Sequence, residues 1–453
     1  MKPRRLADAA RVVDGLLVGG DAEITSFAVD SREVPPGALF AALPGTRVDG
    51  HRFVDEAFAN GAAGVLVRDG TRAPGPAIHV GSTSAAIVQL AADERRRIDA
   101  RVVAVTGANG KTSTKDMIAA VASAAFRTHA SPASFNNEIG VPVTVLDAPA
   151  DTEVLVAELG ARHAGDVALL CEVVRPHVAV VTNVGVAHME VFGSWEAIVE
   201  ASAEPIDALD EDGVAVLNAD DPVVAGYRAR CRGRVVTFGV AADADVRADA
   251  VVLGADGRAA FDLVEGGDRA PVRLAVPGEH MVANALAAAA AGGVLGVPIG
   301  DRAAALSASG ISRWRMETFE TGTGVRVLND AYNANPESVA AALRTGRWMA
   351  GEHRFIAVLG PMAELGVIAE REHERVGELA ARLRVDRLIT VGAGAEMIAV
   401  AGVREGVEPD DVASYPDPDA ALADVRAHAG PGDLVLVKAS RVAGLERLAE
   451  ALR

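Results

Sequence analysis

Arg101-Val102-Val103-Ala104-Val105-Thr106-Gly107-Ala108-Asn109-Gly110-Lys111-Thr112-Ser113-Thr114 is the stretch around which the chain is organised. The β-branched run Val102, Val103 and Val105 stops at glycines. A lysine with hydroxyl residues and the apolar Met117, Ile118 and Val121 at helical spacing then follow, which predicts strand, tight loop, helix. Such a loop cradles phosphate. Its glycines turn backbone N–H groups onto phosphate oxygens, the helix N-terminus adds positive dipole, and a lysine neutralises the terminal phosphates. Thr106, Gly107, Asn109, Gly110, Lys111, Thr112 and Ser113 are therefore the expected nucleotide cradle, with Thr112 or Ser113 a ligand for Mg²⁺. The general G-x-x-x-x-G-K-[ST] pattern is not met, because Val105 stands at its first glycine; the loop is the compact T-G-x-N-G-K-T variant. Lysine occurs elsewhere only as Lys2, Lys115 and Lys438, so arginine is the chain's usual cation and a retained lysine suggests a need for a compact ammonium.

A chain of 453 residues exceeds one ordinary core, and roughly three domains of about 100–200 residues are expected. Half of it is hydrophobic, mostly Ala, Val and Leu with few aromatics, which suits helices packed on parallel sheets better than platforms for nucleic-acid bases. A net charge of -18 argues against a nucleic-acid partner. Two cysteines, Cys171 and Cys231, make no disulfide framework and are expected as buried thiols in a reducing compartment. There is no signal-peptide h-region and no membrane-length apolar run, so a soluble cytoplasmic protein is expected.

The predicted architecture is α/β in three units. Residues 1–99 form a small α/β domain, 100–312 a central doubly wound phosphate-loop domain with a mostly parallel sheet, and 313–453 a C-terminal Rossmann-like α/β domain. In the first, strand-like runs fall at Ile24 to Val29, Ala38 to Leu43, Gly64 to Val67 and Ala77 to Val80, with a helix at Phe53 to Ala62. Ser31 and Arg32 follow a strand; they either clamp a pyrophosphate or form a turn with an Asp30–Arg32 ion pair, which spacing alone favours. Central strands are expected at Val102 to Val105, Val154 to Glu158, Val178 to Thr182, Val214 to Asn218 and Val235 to Gly239, then a strand-rich passage from Asp243 to Val276.

In such a sheet, ligands bind at the carboxyl ends of the strands. Those ends carry Ser134-Phe135-Asn136-Asn137-Glu138, Glu158, Asn183 to His188, and Asn218 to Pro222. Glu158 and His188 are candidates to complete a Mg²⁺ site with Thr112, the oxygen ligand being the more natural of the two. His280 and Asn284 share one face of the next helix, and Asn284 either bonds an adenine edge or packs. The last unit carries Asp330-Ala331-Tyr332-Asn333-Ala334-Asn335-Pro336 and Lys438 to Arg441 after strands, a density of polar groups that suits a site facing another domain. Strands there are expected at Val325 to Leu328, Arg354 to Leu359, Arg387 to Val391 and Leu434 to Val437; no G-x-G-x-x-G fingerprint appears.

Thr106 to Thr112, Ser134 to Pro142, Asn183 to His188, Asn218 to Pro222 and Asp330 to Pro336 together resemble the Mur ligase family, nearly end to end. The resemblance implies an ATP- and Mg²⁺-dependent ligase. It would join D-alanyl-D-alanine to UDP-N-acetylmuramoyl-tripeptide through an acyl phosphate, acting as a monomer on small molecules with no nucleic-acid or membrane partner. By the same resemblance, Lys111, Glu158 and His188 are catalytic, and Thr112, Glu158 and His188 hold metal. Thr106, Gly107, Asn109, Gly110, Lys111, Thr112 and Ser113 with Asn284, Arg315 and Asp330 hold the nucleotide, and Ser31, Arg32, Asn136, Asn137, Tyr332, Asn333 and Asn335 bind substrate. Alternatives are a nucleotide-binding paralogue with a regulatory role, or a ligase for another amine. One departure stands out: many family members carry a carbamylated lysine in Ala-Lys-x-Glu, where this chain reads Ala201-Ser202-Ala203-Glu204. A second Mg²⁺ is then expected to be held through Glu204 or water.

Overall fold

The computed structural model describes residues 1–45, 48–186, 189–240 and 243–453. The phosphate-loop strand, Arg101–Thr106, lies inside a nine-stranded sheet, flanked by Val154–Glu158 on one side and Val178–Val181 on the other, both parallel to it. Beyond Val178–Val181 come Val214–Asn218, Arg234–Gly239 and Val246–Leu253, still parallel. Arg258–Glu265 and Asp268–Pro277 then close that edge as antiparallel strands, and Thr128–Ala130 forms the other edge. The register pairs Val103 with Val156 and Val178, so the β-branched run is covered on both sides as a parallel sheet requires.

Helix Lys111–Ser123 leaves the loop and packs on the alanine-rich helix Met281–Leu295. A Cβ built on Gly292 would lie 2.4 Å from Val121 Cγ1, so glycine is what permits the helices to approach this closely.

The first unit holds a five-stranded sheet ordered Leu16–Val18, Ala77–Val80, Gly64–Arg68, Ala38–Ala41, Ser26–Ala28, parallel except at its first pair. Glu23–Ile24 pairs instead with Arg4–Arg5, so the single strand expected from Ile24 to Val29 is two short ones in different sheets. Helix Thr83–Arg97 carries Ile87 and Leu90 into one buried cluster with Val141, Val145 and Leu170, so the core runs across this junction. The last unit has six strands ordered Glu317–Glu320, Arg326–Asn329, Leu434–Lys438, Phe355–Leu359, Arg387–Val391, Val412–Tyr415, all parallel but the first. Cys171 is buried, and burial pushes its thiol up to about 12, whereas Cys231 is only half-buried. No described helix is long and apolar enough to cross a membrane.

Candidate active site

The carboxyl ends of the central strands and the first turns of the last unit face one cleft of about 1080 Å³. Gly107 and Gly110 fix the loop's shape, with φ of +137° and +79°. A Cβ on Gly107 would fall 2.1 Å from Thr182 Oγ1, and one on Gly110 would fall 2.3 Å from Asn284 Oδ1. Only glycine fits either position. Between them Asn109 is held through its backbone: its N–H donates to Asn183 Oδ1 (2.8 Å), and its carbonyl accepts from Thr182 Oγ1 (2.7 Å) and Asn183 Nδ2 (3.1 Å). Lys111 Nζ folds back onto the Gly107 and Ala108 carbonyls at 2.6 and 3.3 Å. Burial draws its pKa below the ordinary lysine range, and the Glu158 charge opposes that shift.

Glu158 ends its strand almost fully buried. Its Oε1 accepts from Asn136 Nδ2 at 2.8 Å, whereas Oε2 is buried with no partner among the described residues. An ionised carboxyl oxygen left unsatisfied in a cleft is costly unless a cation or a proton donor completes it. Thr112, Ser113 and Lys111 line the same cleft, so a hard, oxygen-preferring cation with spare positions for phosphates and waters fits this donor set. His188 lies outside the described residues. Among those residues no three acidic, His or Cys side chains form a metal cluster.

From the last unit, Asp330 reaches Lys438 Nζ at 2.5 Å and accepts the Met316 N–H at 3.0 Å. Lys438 Nζ also donates to the Asn333 carbonyl. Trp314 and Met316 both take positive φ, +61° and +49°, on either side of Arg315. Backbone strain of this kind is retained where surrounding contacts over-determine it. Here the Asp330–Met316 bond and the stacking of the Arg315 guanidinium on Tyr332, 4.2 Å from the ring centre, do so. Because Lys438 is 2% exposed, Asp330→Asn leaves its ammonium buried without a counter-charge. Urea denaturation should show a loss of about 3 kcal/mol or more; an unchanged midpoint would mean that the pair is not structural.

Three comparisons bear on this cleft. Family models match as Mur ligase family, catalytic domain, over residues 23–146, Mur ligase middle domain over 105–292, and Mur ligase, glutamate ligase domain, over 314–441. A curated Mycobacterium tuberculosis protein, UDP-N-acetylmuramoyl-tripeptide–D-alanyl-D-alanine ligase, is 42% identical over 93% of this chain and 91% of its own. The chain belongs to the Mur ligase family. MurF from Acinetobacter baumannii superposes with a TM-score of 0.87 at 30% identity, over 99% of this chain and 98% of that one. MurF from Thermotoga maritima in complex with ADP gives 0.80 at 28%, over 94% and 96%.

Within this Mur ligase the residues picked from sequence do not all converge. Asn109, Gly110, Lys111, Thr112, Ser113, Asn136, Asn137, Glu158, Asn284, Arg315, Asp330, Tyr332, Asn333 and Asn335 line the cleft. Gly107 shapes the loop from behind. Thr106 lies beneath it, buried, its hydroxyl donating to the Leu159 carbonyl. Asn137 Oδ1 also accepts from Gly140 N at 2.9 Å, where the next helix begins. Asn335 is the N-cap of helix Pro336–Ala350, in a capping box with Ser338, and its Nδ2 donates to Asn109 Oδ1 at 2.7 Å. It therefore ties the last unit to the phosphate loop.

Ser31 and Arg32 lie away from the cleft, and the ion-pair alternative describes them: Arg32 grips Asp30 with Nε at 2.9 Å and Nη2 at 2.6 Å, and Ser31 donates to Glu56. Glu204 corrects an expectation. Its oxygens accept from Gly165 N (2.6 Å) and Ala168 N (2.8 Å), satisfying orphan donors at the start of helix Asp166–Val174, so it does not face the cleft. Ser202 bonds back to the Ile198 carbonyl. Lys438 and Ser440 were visible in the sequence only as polar residues after a strand; the fold makes them the floor of the last unit's side of the cleft.

Proposed function

We propose that this chain catalyses ATP-dependent joining of D-alanyl-D-alanine to UDP-N-acetylmuramoyl-tripeptide, forming ADP and phosphate, in cytoplasmic synthesis of peptidoglycan precursors. The observation that carries this reading is the single cleft in which a phosphate loop and a half-satisfied buried carboxylate face Arg315, Asp330 and Lys438 from a second sheet. End-to-end similarity to ligases of that name supports it.

A carboxylate oxygen of the tripeptide would attack the γ-phosphorus and release ADP. The dipeptide amine, having lost a proton, would then attack the acyl carbon, and phosphate would leave as the amide forms. Such a sequence depends on positioning and charge neutralisation more than on covalent chemistry by the protein. Lys111 would exchange its two carbonyl contacts for phosphate oxygens, and its depressed pKa reports how weakly it is solvated before that exchange. Thr112 and Glu158 would hold Mg²⁺, with His188 as a further candidate ligand; the ion supplies neutralisation of charge on the transferring phosphoryl group. Arg315 and Asp330 would close over the nucleotide, with Asn284 toward the base. Asn136 and Asn137 would meet the acyl group, and Tyr332, Asn333 and Asn335 would line the entry for the dipeptide. Units 1–99, 100–312 and 313–453 would thus bring UDP-substrate, ATP and amine to one place, in a monomer, with Ser31 and Arg32 contributing to the UDP side after release from their present partners.

The test is phosphate release with ATP, Mg²⁺, tripeptide precursor and D-alanyl-D-alanine, omitting each in turn. Release that requires both co-substrates is expected. Nucleotide binding without dipeptide-dependent release would instead favour the regulatory paralogue.

A further inference from the structure

One side chain in the cleft has no part in the chemistry above, yet touches both halves of the site. Ser134 Oγ lies 2.9 Å from Thr112 Oγ1 and accepts from Arg315 Nη2 at 3.0 Å. Arg315 belongs to the last unit, 181 positions further along the chain. Ala133, immediately before Ser134, has a φ of +45°, a strained conformation for a residue with a Cβ, and it fixes where the serine points. Arg315 is itself held by its stack on Tyr332, with Nε buried and without a partner among the described residues, so its reach to Ser134 is set by packing rather than by solvent.

A threonine hydroxyl that ligates a cation must offer a lone pair to the metal and send its proton elsewhere. Serine can take that proton while accepting the guanidinium N–H on its second lone pair. We infer that Ser134 is a positioning residue that orients the Thr112 hydroxyl for Mg²⁺ and, through Arg315, makes that orientation depend on docking of the last unit. The inference rests on the ATP–Mg²⁺ reading of the cleft and adds to it a coupling between domain arrangement and metal affinity. In the undocked state, Ser134 loses its Arg315 donor and the Thr112 proton loses its fixed acceptor. The metal-competent loop is then one option among several.

The experiment is calorimetric ADP binding to the full chain over a Mg²⁺ series, with wild type, Ser134→Ala and Ser134→Thr. Loss of an outer-shell partner of this kind typically costs about 10–100-fold in metal affinity. Ser134→Ala should therefore raise the Mg²⁺ concentration at half-saturation by roughly 10-fold or more. Its ADP affinity without Mg²⁺ should stay at the wild-type value, and Ser134→Thr should restore most of the Mg²⁺ response. A merely structural role would weaken ADP binding with and without Mg²⁺ alike, and that result overturns the inference. So does an unchanged Mg²⁺ midpoint in Ser134→Ala. Failure of the wild-type chain to bind ADP at any Mg²⁺ concentration would instead overturn the ligase reading on which the inference stands.

Discussion

Lys111→Ala is expected to lower dipeptide-dependent phosphate release by at least about 10²–10³-fold, the usual cost of deleting a preorganised electrostatic contact to a reacting group. The structure gives this lysine two loop carbonyls as partners and one nearby carboxylate, Glu158, as counter-charge. Those carbonyls need no ammonium to hold the loop. Its shape comes from Gly107 and Gly110 and from Asn183 and Thr182 gripping the Asn109 backbone. The variant should therefore fold with a melting temperature within a few degrees of wild type while losing turnover. Lys111→Arg should not rescue it, because a planar fork cannot occupy the place of a compact ammonium between Gly107 and Ala108. Steady-state rates on purified variants check this, and a Lys111→Ala enzyme within tenfold of wild type would remove the lysine from the mechanism.

The second large effect is at Glu158. Glu158→Gln keeps an oxygen for the Asn136 amide but puts an NH₂ group, which cannot ligate a cation, in place of Oε2. If Thr112 and Glu158 hold Mg²⁺ as proposed, the ion supplies several kcal/mol to the transferring phosphoryl group, so loss of the Glu158 oxygen should cost turnover about 10²-fold or more. Stability should move little, because the substitution keeps the Asn136 bond and removes a buried oxygen that has no partner among the described residues. Excess Mg²⁺ should recover part of the rate. Wild-type turnover in Glu158→Gln would show that the buried carboxylate is structural and that the metal is held elsewhere.

The sequence carried the central fold because its parallel strands are continuous β-branched runs with polar residues at their carboxyl ends. Val154 to Glu158 and Val178 to Val181 could be read as strands for that reason, and Glu158 as a site residue. Leu16–Val18, Thr128–Ala130 and Val412–Tyr415 are partly exposed edge strands of only three or four residues, too short for a period to stand out in the sequence, and they were not foreseen. In the site, the loop was legible because glycine, lysine and hydroxyl in that order serve one geometry. Contacts made across the fold were not. Nothing in the spacing of Asn109 and Asn335 announces a hydrogen bond between them, and Ser134 stood in a recognised polar loop with no sign of its two partners. Glu204 misled because an acidic side chain near a vacant metal-ligand position reads the same whether it binds a cation or caps a helix. Of the four lysines, Lys115 and Lys438 are buried, on Ser131 and Asp330, Lys111 sits in the cleft wall, and Lys2 is half-buried against the Arg97 carbonyl.

The most direct measurement follows an oxygen atom. With ¹⁸O in both positions of the tripeptide's reacting carboxylate, attack on the γ-phosphorus and later departure of phosphate transfers one label to inorganic phosphate and leaves one in the new amide carbonyl. Mass spectrometry should find singly labelled phosphate in step with the amide product. Unlabelled phosphate alongside that product would contradict an acyl-phosphate route, and labelled phosphate formed without D-alanyl-D-alanine incorporation would contradict the ligase assignment.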